Sequence, residues 1–297
     1  MLMKKFFLLV VTMLFISNIN MAQDDANKKV RAGLKGVLEP GWFDSGDNNT
    51  TPLNAGVGGG FGLVLEFRMS DVIYFSTGIG GDFENASVKY RNDNFVFPTN
   101  TNVFTVNYFV DNSGALVEAA NDVDKSTYYK DGNISYKIES RNIKSTFVTI
   151  PVALKMMTKE FSGFKIFGSF GGDIGIRIGT KADDTYYFKT VYTGTAGIGV
   201  PTTEKGTLSN LDISKDGSLI PMRVGLDVGL GAEYRIGGST SVFFSVNYFR
   251  SFTNVMKIDS KVYYTGSTID ANNKIVFTHL QQNLIMSSLK ITLGVMF

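Results

Sequence analysis

The chain has 297 residues, 43% of them apolar and 19% charged, with a formal net charge of +2 and a mean hydropathy of +0.04. So small a charge argues against nucleic-acid binding, and the lack of any Cys excludes a disulfide framework, a thiolate metal site and a lipid-modified N-terminal Cys. Gly (32), Phe (24) and Tyr (13) are abundant while Pro (6) is scarce, a composition suited to strands with aromatic belts.

The first predicted element is a signal peptide over residues 1–22. Lys4 and Lys5 precede the apolar run FFLLVVTMLFI, which ends at Ile16 and is too short to span a bilayer. Cleavage near Ala22 is expected to release residues 23–297 as one domain beginning in the periplasm. The rest of the chain reads as strands. Strand 1 is predicted over Val30 to Leu38, with Val30, Ala32, Leu34 and Leu38 on one face and Arg31 and Lys35 on the other. The following EPGWFDSGDNNTTPLNAG reads as a polar turn region. Strand 2 covers Val57 to Arg68 and places Phe61, Leu63, Leu65 and Phe67 opposite Glu66 and Arg68. Met69-Ser70-Asp71 is a tight turn into strand 3, Val72 to Glu84, where Ile73, Phe75, Ile79 and Phe83 oppose Asp82 and Glu84.

After a polar region with a weak alternating patch at Val103 to Val110, strand 4 runs from Ser145 to Met156. Strand 5, Phe164 to Ile178, alternates Ile166, Phe170, Ile174 and Ile176 with Lys165, Asp173 and Arg177. Thr180 to Leu219 reads as another polar loop. Strand 6, Met222 to Ile236, sets Val224, Leu226, Val228 and Leu230 against Arg223, Asp227, Glu233 and Arg235. Gly237-Gly238-Ser239 turns into strand 7, Val242 to Ser251. A last loop contains a predicted hairpin turn at Asp270-Ala271-Asn272-Asn273. The closing strand lies within Asn283 to Phe297, with Leu289, Ile291, Leu293, Val295 and Phe297 on its apolar face. That face, ending in an aromatic residue, is expected to be the signal read by the barrel assembly machinery.

Links after strands 2, 4 and 6 are short and those after strands 1, 3, 5 and 7 are long. This alternation predicts an eight-stranded antiparallel transmembrane β-barrel, an up-and-down meander with short periplasmic turns and long extracellular loops. Ten strands would require the Val103 to Val110 patch and a partner to cross the membrane; its mixed polarity suggests a hairpin standing above it. A soluble secreted β-sandwich also alternates, but its link lengths need not. In lipid the apolar face must point outwards. The inward set is then Arg31, Lys35, Glu66, Arg68, Asp82, Glu84, Lys165, Asp173, Arg177, Arg223, Asp227, Glu233, Arg235 and Lys290. An eight-stranded barrel has room for little beyond its side chains, so these charges are expected to pair and plug it. Inward glycines leave a narrow passive channel as the alternative.

The phrase FVTIPVALKMM, Phe147 to Met157, followed by FKIFGSFGGDIGIRIG, resembles the PorT-like outer-membrane β-barrel family of Bacteroidetes, and VRAGLKG is similar to that family's first strand. The resemblance implies the outer membrane of a Gram-negative bacterium and a role in a protein secretion apparatus, and supplies no catalytic residues.

His279, the single His, is placed at the outer rim, too far from Ser287 and Ser288 to form a catalytic set. Asp44-Ser45-Gly46-Asp47-Asn48-Asn49 lacks the spacing of a calcium loop, and GVGGGFG at Gly56 to Gly62 lacks the Lys of a phosphate loop. Trp42, Tyr90, Tyr136, Tyr186, Tyr187, Tyr248, Tyr263 and Tyr264 read as an outer aromatic girdle. The expectation is therefore a non-enzymatic barrel without metal or cofactor. Its partners are expected to be outer-membrane lipid, the assembly machinery and whatever its extracellular loops contact, and not nucleic acid.

Overall fold

In the computed structural model the described residues are 29–91, 106–194, 198–202, 205–214, 218–258 and 260–297. The predicted signal peptide and residues 103–105 of the alternating patch lie outside them. Eight long strands form the frame: β1 (Val30–Ser45), β2 (Thr50–Arg68), β3 (Ile73–Tyr90), β4 (Ile134–Met157), β5 (Phe164–Thr193), β6 (Met222–Gly237), β7 (Thr240–Asn254) and β8 (Leu284–Met296). Each pairs antiparallel with its sequence neighbours. The sheet closes because β1 also pairs with β8, in the register Leu34↔Val295 and Leu38↔Ile291. Every strand of the frame thus has two partners and no edge is left.

The strands meet in short turns at one end. Met69 N donates to Ile73 O (2.9 Å), and Phe161 and Phe164 close the second turn on each other. Gly163 (φ +81°) and Gly238 (φ +56°) occupy the left-handed region that these reversals need. At the other end the connections are long. Val106–Val110 pairs with the upper part of β4, the hairpin Tyr264–Ile269 and Lys274–His279 joins it through Tyr264↔Asn107, and Gly206–Asp212 pairs with β5. Together they build a folded cap. The Asp270 carboxylate accepts the Asn272 (2.9 Å) and Lys274 (2.7 Å) N–H groups, and Asn273 takes φ +66°, so the predicted hairpin turn is present.

Several strands run further than the sequence pattern suggests. The predicted loop after Leu38 is strand up to Ser45, β3 continues to Tyr90, β4 starts at Ile134 and β5 reaches Thr193. The reason is an inversion of polarity. In the lower part of the barrel the outward residues are apolar and exposed, among them Phe61, Ile166, Ile176, Leu230 and Leu293. In the upper part the apolar residues point in, with Phe43, Ala86, Val88, Tyr90, Ile143 and Ala182 in one buried core, while Asn85, Ser87 and Lys89 point out. Alternation persists but its phase flips, as it must where a wall leaves lipid for water.

Inward glycines and inward aromatic rings interlock in the lower part. A Cβ on Gly231 would meet the Phe167 ring at 2.3 Å, one on Gly225 the Phe249 ring at 2.5 Å, one on Gly294 the Phe243 ring at 2.4 Å and one on Gly175 the Phe147 ring at 3.2 Å. The room that the glycines leave is occupied by four phenyl rings rather than by an open path.

Candidate functional site

Inward side chains of β1, β2, β4 and β6 converge near the short-turn end. Arg31 pairs with Glu233 (2.8 Å) and Glu66 (3.3 Å), and Lys155 pairs with Glu66 (2.7 Å) and Glu233 (3.3 Å). Ser241 Oγ donates to Glu233 at 2.7 Å. Lys155 Nζ lies 4.0 Å from the Phe167 ring centroid. Val64, Tyr74, Met157, Phe167, Phe243 and Met296 pack as an apolar cluster at this level. Arg31 and Glu233 stand three strands apart around an eight-strand wall, so this ion pair crosses the lumen.

A second cluster lies higher. Arg223 on β6 reaches Asp82 (2.9 Å) and Glu84 on β3 and Asp173 (3.3 Å) on β5. Lys290 on β8 reaches Asp173 (2.8 Å) and Asp82 (3.5 Å). The Arg223 guanidinium lies between Phe147 (4.7 Å) and Phe249 (4.6 Å), a cation–π sandwich in a desolvated setting. Glu39 joins from β1. It is 0% exposed and its Oε1 accepts the Ser288 hydroxyl at 2.5 Å. Glu39 is absent from the sequence-derived set because EPGW reads as a turn, whereas in the barrel it is one more inward position of a longer strand.

Between the clusters lies a polar cavity of about 120 Å³, lined by Lys35, Asp82, Asp173, Asp227, Asn247 and Lys290 among others. Lys35 makes no ion pair with another described residue, and Asp227 accepts from Asn247 Nδ2 at 2.5 Å. Asp173 Oδ1 and Asn247 Oδ1 have no protein partner, so this cavity has the polarity and size to hold water. Arg177 makes hydrogen bonds rather than ion pairs, donating to Ser145 Oγ (2.7 Å), Thr180 Oγ1 (3.1 Å) and Ile220 O (3.0 Å).

Three of the predicted inward charges belong elsewhere. Arg68 pairs with Asp71 (2.8 Å), and Lys165 and Arg235 share Glu160 (3.7 and 2.8 Å), all at the short-turn rim. At a strand end the inward face opens to solvent, and long side chains bend towards the turn carboxylates instead of the lumen. On the closing strand Leu289 and Leu293 are exposed outwards, with Ile291 and Val295 on the same face. Phe297 is half-buried, and its N–H donates to Ala32 O at 2.8 Å.

The cap holds a third polar centre, whose charged pair is absent from the sequence-derived set. Arg141 and Asp184 are 0% exposed and joined by Nε–Oδ1 (2.6 Å) and Nη2–Oδ2 (2.5 Å) bonds. Arg141 Nη1 donates to the Tyr263 hydroxyl (2.5 Å), and the Tyr108 hydroxyl donates to Asp184 Oδ2 (2.7 Å). Tyr90 donates to Gln282 Oε1 (3.2 Å). Burial pulls the Arg141 pKa down, but the Asp184 carboxylate outweighs it and holds the guanidinium well above its usual range. Burial raises the Tyr90 phenol to about 12, and burial followed by Asp184 pushes Tyr108 well above its usual value. Of the predicted girdle, Trp42 and Tyr248 do pair on the outer wall (6.4 Å between centroids). Tyr90, Tyr136, Tyr263 and Tyr264 are instead buried in the cap, which corrects the girdle reading. Tyr90 and Tyr136 follow the phase of the upper, inverted part of the wall, and Tyr263 and Tyr264 come from the long connection that folds over it.

His279 Nε2 is bonded to the Ala119 carbonyl oxygen at 2.7 Å, remote from Ser287, which donates to Asp44 (2.6 Å). Asp47 accepts N–H groups of Asn49 (2.7 Å), Thr50 (2.9 Å) and Asn283 (2.7 Å), so its carboxylate is spent on shaping its own turn and tying it to the start of β8. Among the described residues no cluster of three or more His, Cys, Asp or Glu is arranged to hold a metal ion.

A closed antiparallel barrel with exposed apolar residues around its wall and charges in its lumen inverts the polarity of a soluble protein. A continuous apolar exterior of this extent belongs in lipid, and the chain is a transmembrane β-barrel. No protein-family model and no curated protein sequence matches the chain. Among solved structures it is similar to the outer membrane protein OprG from Pseudomonas aeruginosa (11% identity, 90% of this chain and 94% of that one, TM-score 0.35). It is also similar to a major outer membrane protein from Thermus thermophilus (12%, 90% and 98%, TM-score 0.35) and to Neisserial surface protein A (10%, 89% and 95%, TM-score 0.33).

Proposed function

We propose that the protein is a non-conducting, non-enzymatic outer-membrane barrel, its short turns in the periplasm and its cap outside, acting through the surface that the cap presents. The observation that carries this reading is the pair of ion-pair clusters crossing the lumen at two levels. Charges held in such networks do not leave their partners for a passing ion at low cost, since a separated buried charge costs several kcal/mol. The cap adds a packed apolar core over the upper end. Placement in the outer membrane of a Bacteroidetes species, a PorT-like family relationship and a link to protein secretion extend this reading on the strength of the Phe147–Met157 phrase, which lies on β4. The closing-strand face, Leu289 to Phe297, serves in it as the assembly signal.

Single-channel recording of the refolded protein in a planar bilayer tests the reading. A silent membrane containing verified folded protein is expected. Reproducible conductance steps whose ion selectivity shifts with Arg223→Ala would refute it and make the central cavity, with Lys35 and Asp173, part of a narrow channel.

A further inference from the structure

The wall just above the apolar band carries an ordered polar surface on β3, β4, β5 and the strand Gly206–Asp212. Its lowest row is set by register: Asn85 stands opposite Lys144, and Lys144 opposite Lys181. Directly beneath, Phe83 stands opposite Thr146, and Ile176 opposite Val148, on the lipid-facing side. Two like charges facing each other across a strand pair disfavour the sheet. Lys144 pairs with Asp183, one row higher, but exposed Lys181 makes no ion pair with another described residue. Asp212, on the far side of Lys181, is tied to the Ser214 N–H at 2.9 Å.

The rows above add hydroxyl and amide groups, with Lys89 as a further cation and Asp183, the partner of Lys144, opposite Asn142. Ser87 stands opposite Asn142, and above them Lys89 stands opposite Ser140, Ser140 opposite Thr185 and Thr185 opposite Thr207. A groove of about 300 Å³ runs across these strands, with Leu53 as its one apolar wall. From Asn85 to Lys89 the rows climb about 13 Å, at ~3.3 Å per residue, more than a lone phosphate occupies.

We infer that this wall binds the phosphorylated saccharide headgroup of a glycolipid in the leaflet around it. Lys181, which no described carboxylate pairs, takes phosphate with Lys144 beside it, and the hydroxyl and amide rows take the sugar. Continuity with the apolar band selects a lipid over a free sugar phosphate, because acyl chains would lie on the Phe83 and Val148 surface while the headgroup meets the lysines. The inference rests on the proposed placement of the cap outside the membrane.

The test uses the full-length folded protein in nanodiscs containing an acylated, bis-phosphorylated glucosamine disaccharide, its dephosphorylated form, or phosphatidylglycerol at equal mole fraction. Lipid retained on the protein after mild detergent extraction is quantified by native mass spectrometry. The wild type is expected to retain the phosphorylated glycolipid at least about tenfold over its dephosphorylated form, as two lysines at a surface imply, and above phosphatidylglycerol through the hydroxyl and amide rows. Lys144→Glu with Lys181→Glu should abolish that preference, and Ser140→Ala with Asn142→Ala should bring the glycolipid down to the level of phosphatidylglycerol. Equal retention of the glycolipid and phosphatidylglycerol by the wild type would overturn the proposal, as would unchanged retention in the lysine variant. If that variant fails to fold, Lys181→Met alone, at an exposed position, carries the same decision. A conducting barrel that still retains the glycolipid would refute the plugged reading and leave this site standing; a silent barrel without retention would do the reverse.

Discussion

Arg223→Ala is expected to cost the folded barrel about 3–5 kcal/mol, the effect of removing one partner from a buried ionic cluster. The size follows from what is left behind. Asp82, Glu84 and Asp173 are each nearly fully buried and all three are within ion-pair reach of Arg223. Without it Asp82 and Asp173 share only Lys290, and Glu84 keeps no ion pair with another described residue. The ring faces of Phe147 and Phe249 also lose the cation between them. Urea unfolding in detergent micelles, followed by the fluorescence of the single Trp42 and by gel mobility of the unheated protein, measures the loss. Arg223→Lys should recover part of it by restoring charge without the planar fork. A variant as stable as the wild type would mean that the cluster contributes no net stability and that the lumen is held shut by its aromatic rings alone.

The second large effect is expected in the cap. Arg141→Ala leaves Asp184 fully buried with only the Tyr108 hydroxyl, and removes the bond to Tyr263. Tyr108 and Tyr263 come from two different long connections, so this centre ties both to the wall formed by β4 and β5. A cost of about 3–5 kcal/mol is expected to fall on the cap while the barrel below, held by its own two clusters, stays folded. Limited trypsin digestion of the inserted protein distinguishes the two: the variant should be cut in the cap at enzyme levels that spare the wild type, with the barrel still resistant. Equal resistance would contradict the tie. The tyrosines add a pH dependence of known sign. Tyr90 is raised to about 12 in the folded cap, so the folded form keeps its proton after an unfolded tyrosine, with a pKa near ~10, has lost it. That contribution is full below pH ~10 and is lost as pH rises from there to about 12. Cap protection should decline over that alkaline window before the barrel opens.

The strand number, the barrel closure and the outward faces were legible in the sequence because lipid imposes a single rule on the lower wall: apolar out at every second residue. Where the wall rises into water the rule inverts, and a reading that seeks apolar-out alternation sees loops in Glu39 to Ser45, Asn85 to Tyr90 and Thr180 to Thr193. All three are strand. The inversion is itself visible once sought, since Ala86, Val88 and Tyr90 keep the period of β3 while moving to the other face. Most of the predicted inward charges do meet in the lumen, because facing direction is set by parity alone. Which of them pair is not readable from one strand: Arg31 finds Glu233, and Lys290 finds Asp173, across a closure that only the folded barrel defines. Phe167, Phe243 and Phe249 face inward among outward-facing aromatic neighbours, and their partners, the inward glycines, read in sequence as empty space. Arg141 and Asp184 lie in stretches whose polar composition hides a buried pair.

The membrane boundary on β3 is the point on which the barrel, the inverted cap and the lipid-facing site all depend. It is tested most directly by nitroxide labels placed one at a time at Ile79, Phe83, Asn85, Ser87 and Lys89 in bilayer-inserted protein, with collision rates measured for oxygen and for a water-soluble nickel chelate. Oxygen should dominate at Ile79 and Phe83 and the nickel chelate from Asn85 upward, with the crossover between Phe83 and Asn85. Nickel access equal at all five positions would show that the apolar face does not lie in lipid and would contradict the transmembrane barrel itself.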